Sequence, residues 1–272
     1  MKKHRLWDMS WKEAEEAFKR SDTVILPVGT LHGHGPTPIS IDSSSVERLA
    51  DEVGKRTGLV TLPVVAYGEN DKMREYPGSI AISQHVLEGY YTDICRSLYR
   101  NGIRKIIFLN GHGGNREVLL RTGRTARGLG MLTVIVEWWT IGKKLMPDLW
   151  PEPKGSYMAE FAVALAIGGK EVADVRPGGY RGEWGSTPTF SKPFGEKIKP
   201  LGFTDFEYNG GPIIIPVDAW EIDVDSPPEV SESVLDDLRR RGEETINRLA
   251  DYIAGFAREF ERTAVSKPPV KA

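Results

Sequence analysis

Cysteine is nearly absent. Cys95 is the one thiol in 272 residues, so no disulfide forms within the chain and no zinc site is built from several thiolates. A dominant charge is lacking too. Lys and Arg number 36 against 38 Asp and Glu, a formal net charge of −2, which excludes the strong basic field of a nucleic-acid binder. No apolar run reaches the length of a transmembrane helix. The basic start Met1-Lys2-Lys3-His4-Arg5 is not followed by an apolar stretch of signal-peptide length. The expectation is a soluble protein of the cytoplasm, with neither membrane nor nucleic acid as partner. No internal repeat is visible.

What is present is the balance of a globular protein. Hydrophobic residues make up 40% and charged residues 27%, too apolar and too neutral for a disordered chain. At this length a single core can still fill the fold. Residues 1–265 are expected to form one domain, followed by a frayed tail over 266–272.

Strand and helix signals alternate. Ser10 to Arg20 has Trp11, Ala14, Ala17 and Phe18 at helical spacing, with Ser10 as a cap. Thr23 to Gly29 is a short apolar run ending at glycine, and Leu59 to Ala66 is another; both read as buried strands. Between them, Ser43 to Lys55 carries Val46, Leu49, Ala50 and Val53 on one helical face. Tyr67 to Ser79 reads as a polar loop, Gln84 to Arg100 as a helix closed by Asn101-Gly102. Then follow a strand (Lys105 to Leu109), a helix (Arg116 to Gly128) and a strand (Leu132 to Val136). This order implies an α/β fold, a mostly parallel central sheet flanked by helices on both faces. Tyr180 to Pro228, rich in Gly, Pro and aromatics, reads as long loops and short strands. Ser231 to Phe260 reads as a long amphipathic helix.

Three of the five histidines, His32, His34 and His112, fall in loops that directly follow expected strands. In open α/β sheets ligands bind at those carboxyl ends, so distant loops can converge there, and neutral imidazole is the commonest metal ligand. Asp42 lies ten residues after His32, just before a helix, where it can cap that helix or bind a cation. In Asn110-Gly111-His112-Gly113-Gly114-Asn115, glycines leave the backbone free for close approach. Two readings stand for it: a ligand loop, or a glycine-rich turn with a solvated histidine. His4, in a basic terminus, is expected to be solvated, and His85 to cap or decorate a helix surface. Cys95, beside Ile94 and Leu98, reads as a buried structural thiol.

Taken in order, several stretches resemble the creatininase (creatinine amidohydrolase) family over about Leu6 to Phe260. They are Trp7-Asp8-Met9-Ser10-Trp11-Lys12-Glu13; Ile25-Leu26-Pro27-Val28-Gly29-Thr30 with His34-Gly35-Pro36; Tyr67-Gly68 with Tyr76-Pro77-Gly78-Ser79; and the His112 loop. The resemblance implies a three-layer creatininase-like hydrolase, a homo-oligomer (a hexamer), and two metal ions bridged by an aspartate. It makes His34, Asp42 and His112 ligands. It also places Glu160, in Gly155-Ser156-Tyr157-Met158-Ala159-Glu160-Phe161-Ala162, on a family glutamate ligand, unless that residue only complements the helix dipole. This chain departs from the family in writing His32-Gly33-His34-Gly35 for Glu-Gln-His-Gly. Gly155 stands for one family histidine and Met73 for another. Imidazole in place of carboxylate at His32 removes a negative charge and favours nitrogen-loving metals. One or two divalent ions per subunit are therefore expected, Zn²⁺ first, with Mn²⁺ or Fe²⁺ as alternatives.

The implied chemistry is attack of metal-activated water on the carbonyl of a small cyclic or polar molecule. Hydrolysis of an amide C–N bond comes first. The alternative within the fold is opening of a cyclic ketone such as a keto-inositol at a C–C bond, a step in carbohydrate metabolism. A third reading is a non-catalytic metal or metabolite binder. His32, two positions before His34, is expected to be a metal ligand as well; if it does not bind metal it is a proton carrier, with Glu160, Asp71 and Glu183 as the other candidates. Trp138, Trp139 and Trp184 either wall a substrate pocket or pack the core.

Overall fold

The structure is a computed structural model that describes residues 3–33, 37–150, 155–169, 171, 189–190, 194–201, 204–218, 221–223 and 232–266. Its elements in chain order are α1 (Trp11–Arg20), β1 (Thr23–Val28), α2 (Ile41–Thr57), β2 (Val60–Thr61), α3 (Gln84–Arg100), β3 (Lys105–Asn110), α4 (Asn115–Gly128), β4 (Leu132–Glu137), α5 (Trp138–Leu145), α6 (Gly155–Gly168), β5 (Thr189–Phe190), β6 (Ile198–Pro200), β7 (Asp205–Tyr208), β8 (Gly211–Ile214), β9 (Ile222–Asp223) and α7 (Glu232–Arg262).

The central sheet runs β2-β1-β3-β4, parallel throughout. Successive side chains in a strand point to opposite faces, and the core divides accordingly. Ile25, Ile107 and Leu109 face α2, α6 and α7, where Val46, Leu49, Phe161, Leu249 and Ile253 are buried. Val24, Leu26, Ile106 and Phe108 face α1, α3 and α4, against Ala17, Leu87, Tyr91, Cys95, Val118 and Leu119. The result is a three-layer α/β fold.

Local chemistry explains the boundaries. Ser10 caps α1 through a reciprocal box: Glu13 N–H donates to Ser10 Oγ, and Ser10 N–H donates to the Glu13 carboxylate at 2.8 Å. α3 closes before Gly102, whose φ of 88° is left-handed and suits glycine. The run Leu59 to Ala66, expected to be one strand, pairs only over Val60–Thr61, with a further bridge from Val28 to Val65. Pro63 has no N–H to give a ladder. Burial pushes the Cys95 thiol up to about 11, an inert structural thiol as expected.

Two further expectations need correction. His4 is not solvated: its Nε2 sits 2.8 Å from Asp51 on α2, and its carbonyl accepts Thr61 N–H. The terminus is held because it continues the sheet edge at Arg5 and Thr61. Asp42 does not precede α2 but lies in its first turn, where a carboxylate also meets the positive end of the helix dipole.

The region after α6 contributes two small sheets, β5 with β9 and an antiparallel β6-β7-β8 meander. The β7–β8 turn is Asn209-Gly210, both at positive φ (49° and 81°), the pair that a two-residue hairpin favours. Glu183 and Trp184, and the tail over 267–272, lie outside the described residues.

Candidate metal centre

The site forms because three strands end level. Val28, Asn110 and Glu137 are register partners across β1, β3 and β4, so the loops leaving them share one carboxyl edge. The loop after β1 is pinned by Ile80 N–H to Leu31 O and His32 N–H to Ile39 O, both 3.0 Å. Asn115 ties the edge together, its amide donating to Gly29 O at 3.0 Å while its oxygen accepts Glu69 N–H at 2.9 Å. Glycine is needed where these loops touch. A Cβ on Gly29 would stand 2.4 Å from Ser43 Cα, and one on Gly111 would stand 1.9 Å from Asp42 O.

Those contacts bring His32, Asp42 and His112 together, with one ligand atom from each within 4.8 Å of the others. Asp42 Oδ2 is the shared atom, 2.9 Å from His32 Nε2 and 2.8 Å from His112 Nδ1. His32 and Asp42 are buried, and the two imidazoles tilt with centroids 4.9 Å apart. His32 Nδ1 lies 2.7 Å from Gly33 O. A carbonyl only accepts, so Nδ1 carries the hydrogen. In the neutral ring Nε2 then presents a lone pair to the Asp42 oxygen. When His32 is protonated at both nitrogens, burial still raises the Asp42 pKa, but the His32 charge and hydrogen bonds from both histidines outweigh it and hold the carboxyl far below the ordinary range. Two lone-pair bearers facing each other at 2.9 Å call for a cation between or beside them: a proton on His32, or a metal ion. One carboxylate and two imidazoles are a donor set that divalent transition metals accept.

His112 is fixed by Asn110, whose amide donates to His112 O (2.8 Å) and whose oxygen accepts His112 N–H (3.2 Å). The Asn110 amide also reaches Glu137 Oε1 at 3.3 Å, and Arg116 clamps the Glu137 carboxylate through its Nε and Nη2. Neither Glu137 nor Glu69 stands out in the sequence. The signal for Glu137 is its position as the last residue of a strand, in register with Asn110; for Glu69 it is the step after Tyr67-Gly68.

The other expected site residues fall differently. His34 lies outside the described residues. Glu160 is half-buried on α6 beside the core residues Ala159 and Phe161, and is not part of the three-residue cluster. Asp71 is exposed, paired with Arg74 at 2.9 Å, and not part of the three-residue cluster. Trp138 is a core side chain, packed edge-to-face with Trp139 at 6.5 Å.

The creatinine amidohydrolase (creatininase) family matches residues 7–167, more than half of the chain. The creatinine amidohydrolase of Pseudomonas putida is 28% identical over 161 residues, 53% of this chain and 62% of that protein. The 3-dehydro-scyllo-inosose hydrolase of Thermotoga maritima is 32% identical over 107 residues, 39% of this chain and 34% of that protein. A mycofactocin precursor peptide peptidase of Mycolicibacterium smegmatis is 34% identical over 103 residues, 35% and 41% respectively. The chain thus matches between about a third and three fifths of these relatives' lengths. A solved mutant creatininase of Zn-Zn type superposes with a TM-score of 0.71 at 21% identity, over 97% of this chain and all of that one. A creatininase described with Mn gives 0.69 at 21% identity, over 96% of this chain and all of that one. These two show the shared fold, and with the match over residues 7–167 the chain belongs to the creatininase family.

Proposed function

We propose that this protein is a metal-dependent hydrolase acting on the carbonyl of a small polar molecule, with C–N bond hydrolysis as its reaction. The observation that carries the reading is the single oxygen, Asp42 Oδ2, shared by His32 Nε2 and His112 Nδ1, with Asp42 and His32 both buried. A divalent ion there supplies, when bound, a Lewis acid for the carbonyl and an acidified water. The chain's own part is to place the Asp42 carboxylate between the two imidazoles, to hold His32 by its Nδ1–H on Gly33 O, and to hold His112 by Asn110. Both His32 nitrogens are engaged, which supports the ligand role over a free proton shuttle. Zn²⁺ remains the expected ion, because two imidazoles outnumber one carboxylate. Zinc and manganese also appear in the descriptions of the two creatininases above.

Amide hydrolysis is favoured because two of the three relatives are described as an amidohydrolase and a peptidase. Opening of a cyclic ketone is the second reading, supported by the inosose hydrolase at 32% identity. The test is turnover by metal-loaded protein on cyclic and linear small amides beside keto-inositols. Release of amine from an amide supports the first reading and ring opening of a keto-inositol the second. Inertness towards both, with metal bound, leaves a metal or metabolite binder.

A further inference from the structure

His112 has two ring nitrogens, and Asp42 occupies only one of them. Nδ1 faces Asp42 Oδ2 at 2.8 Å. The other edge of the ring faces a different carboxylate. A Cβ built on Gly114 would lie 2.8 Å from His112 Nε2 and 2.3 Å from Glu69 Oε2. Those two atoms therefore flank one small space, kept open because residue 114 has no side chain.

Glu69 is placed there by its backbone. Its N–H is bound by Asn115 Oδ1 at 2.9 Å. The preceding Gly68 is pressed so close to Gly29 O that a Cβ would stand 2.4 Å away. The following Asn70 is buried and donates to Leu31 O at 3.0 Å. All three anchors belong to loops that build the metal centre. Glu69 is half-buried, and it is not among the side chains whose ligand atoms meet within 4.8 Å. It therefore stands behind His112 rather than beside Asp42. Lys72 is half-buried, and burial lowers its pKa while the Glu69 and Asp205 charges raise it; it is the competing partner for Glu69.

We propose that Glu69 is the positioning carboxylate of the metal centre, accepting the Nε2–H of His112 while Nδ1 turns toward Asp42 and the ion. An imidazole that gives one nitrogen to a metal must carry its hydrogen on the other, and a carboxylate acceptor fixes that tautomer, orients the ring and strengthens the ligand. No hydrogen bond joins the pair in this structure. The side-chain torsions of Glu69 close the remaining gap when His112 is committed as a ligand. The carboxylate comes from a third loop, so the loops after β1, β2 and β3 all contribute to the centre.

This proposal rests on the metal-dependent reading, and one experiment separates the two. Zn²⁺ affinity is measured by chelator competition for the wild-type protein, Glu69→Ala and Glu69→Gln, together with Tm values of the metal-stripped forms. Wild-type protein that holds no Zn²⁺ overturns the metal reading itself. If it holds Zn²⁺, the expected result is a loss of affinity on the order of 10–100-fold in Glu69→Ala. Glu69→Gln, whose amide oxygen still accepts Nε2–H, should fall between the two. The stripped Tm values should agree. Equal affinity in all three proteins overturns the role of Glu69, as does an affinity loss matched by a fall in stripped Tm, which would mark a structural side chain. If Glu69→Ala fails to fold, Glu69→Gln against wild type decides alone: affinity equal to wild type, or a loss matched by a lower stripped Tm, overturns the role.

Discussion

Gly111 passes so close to the backbone of Asp42 that a methyl group on it would stand 1.9 Å from the Asp42 carbonyl oxygen. The loop that carries His112 and the helix turn that carries Asp42 are thereby fixed against each other before either side chain does anything. Gly111→Ala is expected to push the two apart, destabilising the fold by about 1–3 kcal/mol and lowering bound metal. Urea unfolding and elemental analysis check both effects. Wild-type stability with full metal would show that the loops do not need this approach.

Asp42 and His32 are separable by substitution. Asp42→Ala removes the carboxylate on which both imidazoles converge, so metal content should collapse while the far-UV spectrum stays native. His32→Ala should lower metal content less. His32→Glu restores the charge that the family pattern has at this place and should bind metal while losing most turnover. Unchanged metal and kinetics in both His32 variants would remove His32 from the centre.

Much of this was legible in the sequence, and the exceptions have physical causes. β1 and β3 are uniformly buried, and a run buried on both faces shows as an unbroken apolar stretch. α3 spans the residues the pattern places it on, closed by Asn101-Gly102. The strand expected over Leu59 to Ala66 is longer than β2 because the run is largely apolar, whereas Pro63 interrupts the ladder. The Asn209-Gly210 hairpin carried a plain local signal within a region that otherwise lacks periodicity. His32, Asp42 and His112 were legible as residues after strands. Glu69 and Glu137 were not, since their meaning depends on which loops meet, and that is set by strand order and register rather than by neighbours in the chain.

Glu137 gives a third test. Its carboxylate joins Arg116 to Asn110, and Asn110 holds both backbone groups of His112. Glu137→Ala should cost about 1–3 kcal/mol, the range for stranding the partners of a buried polar group, and weaken metal binding roughly tenfold. Urea unfolding and chelator competition measure the two effects. A loss of stability without any loss of affinity would confine Glu137 to the fold.

The hexamer implied by the family resemblance is a separate expectation. Trp7 and Trp11 are each 74% exposed and Ile214 75%, apolar surface available for contacts between copies. Light scattering at micromolar concentration should give a mass several times that of one chain. A stable monomer would contradict it.

The most direct measurement is anomalous diffraction from crystals of the protein, recorded on both sides of the zinc edge and again at the manganese edge. The expected result is an ion bounded by Asp42, His32 and His112. Crystals of metal-saturated protein that show no anomalous peak among these three side chains, or show the ion held elsewhere, would contradict the assignment.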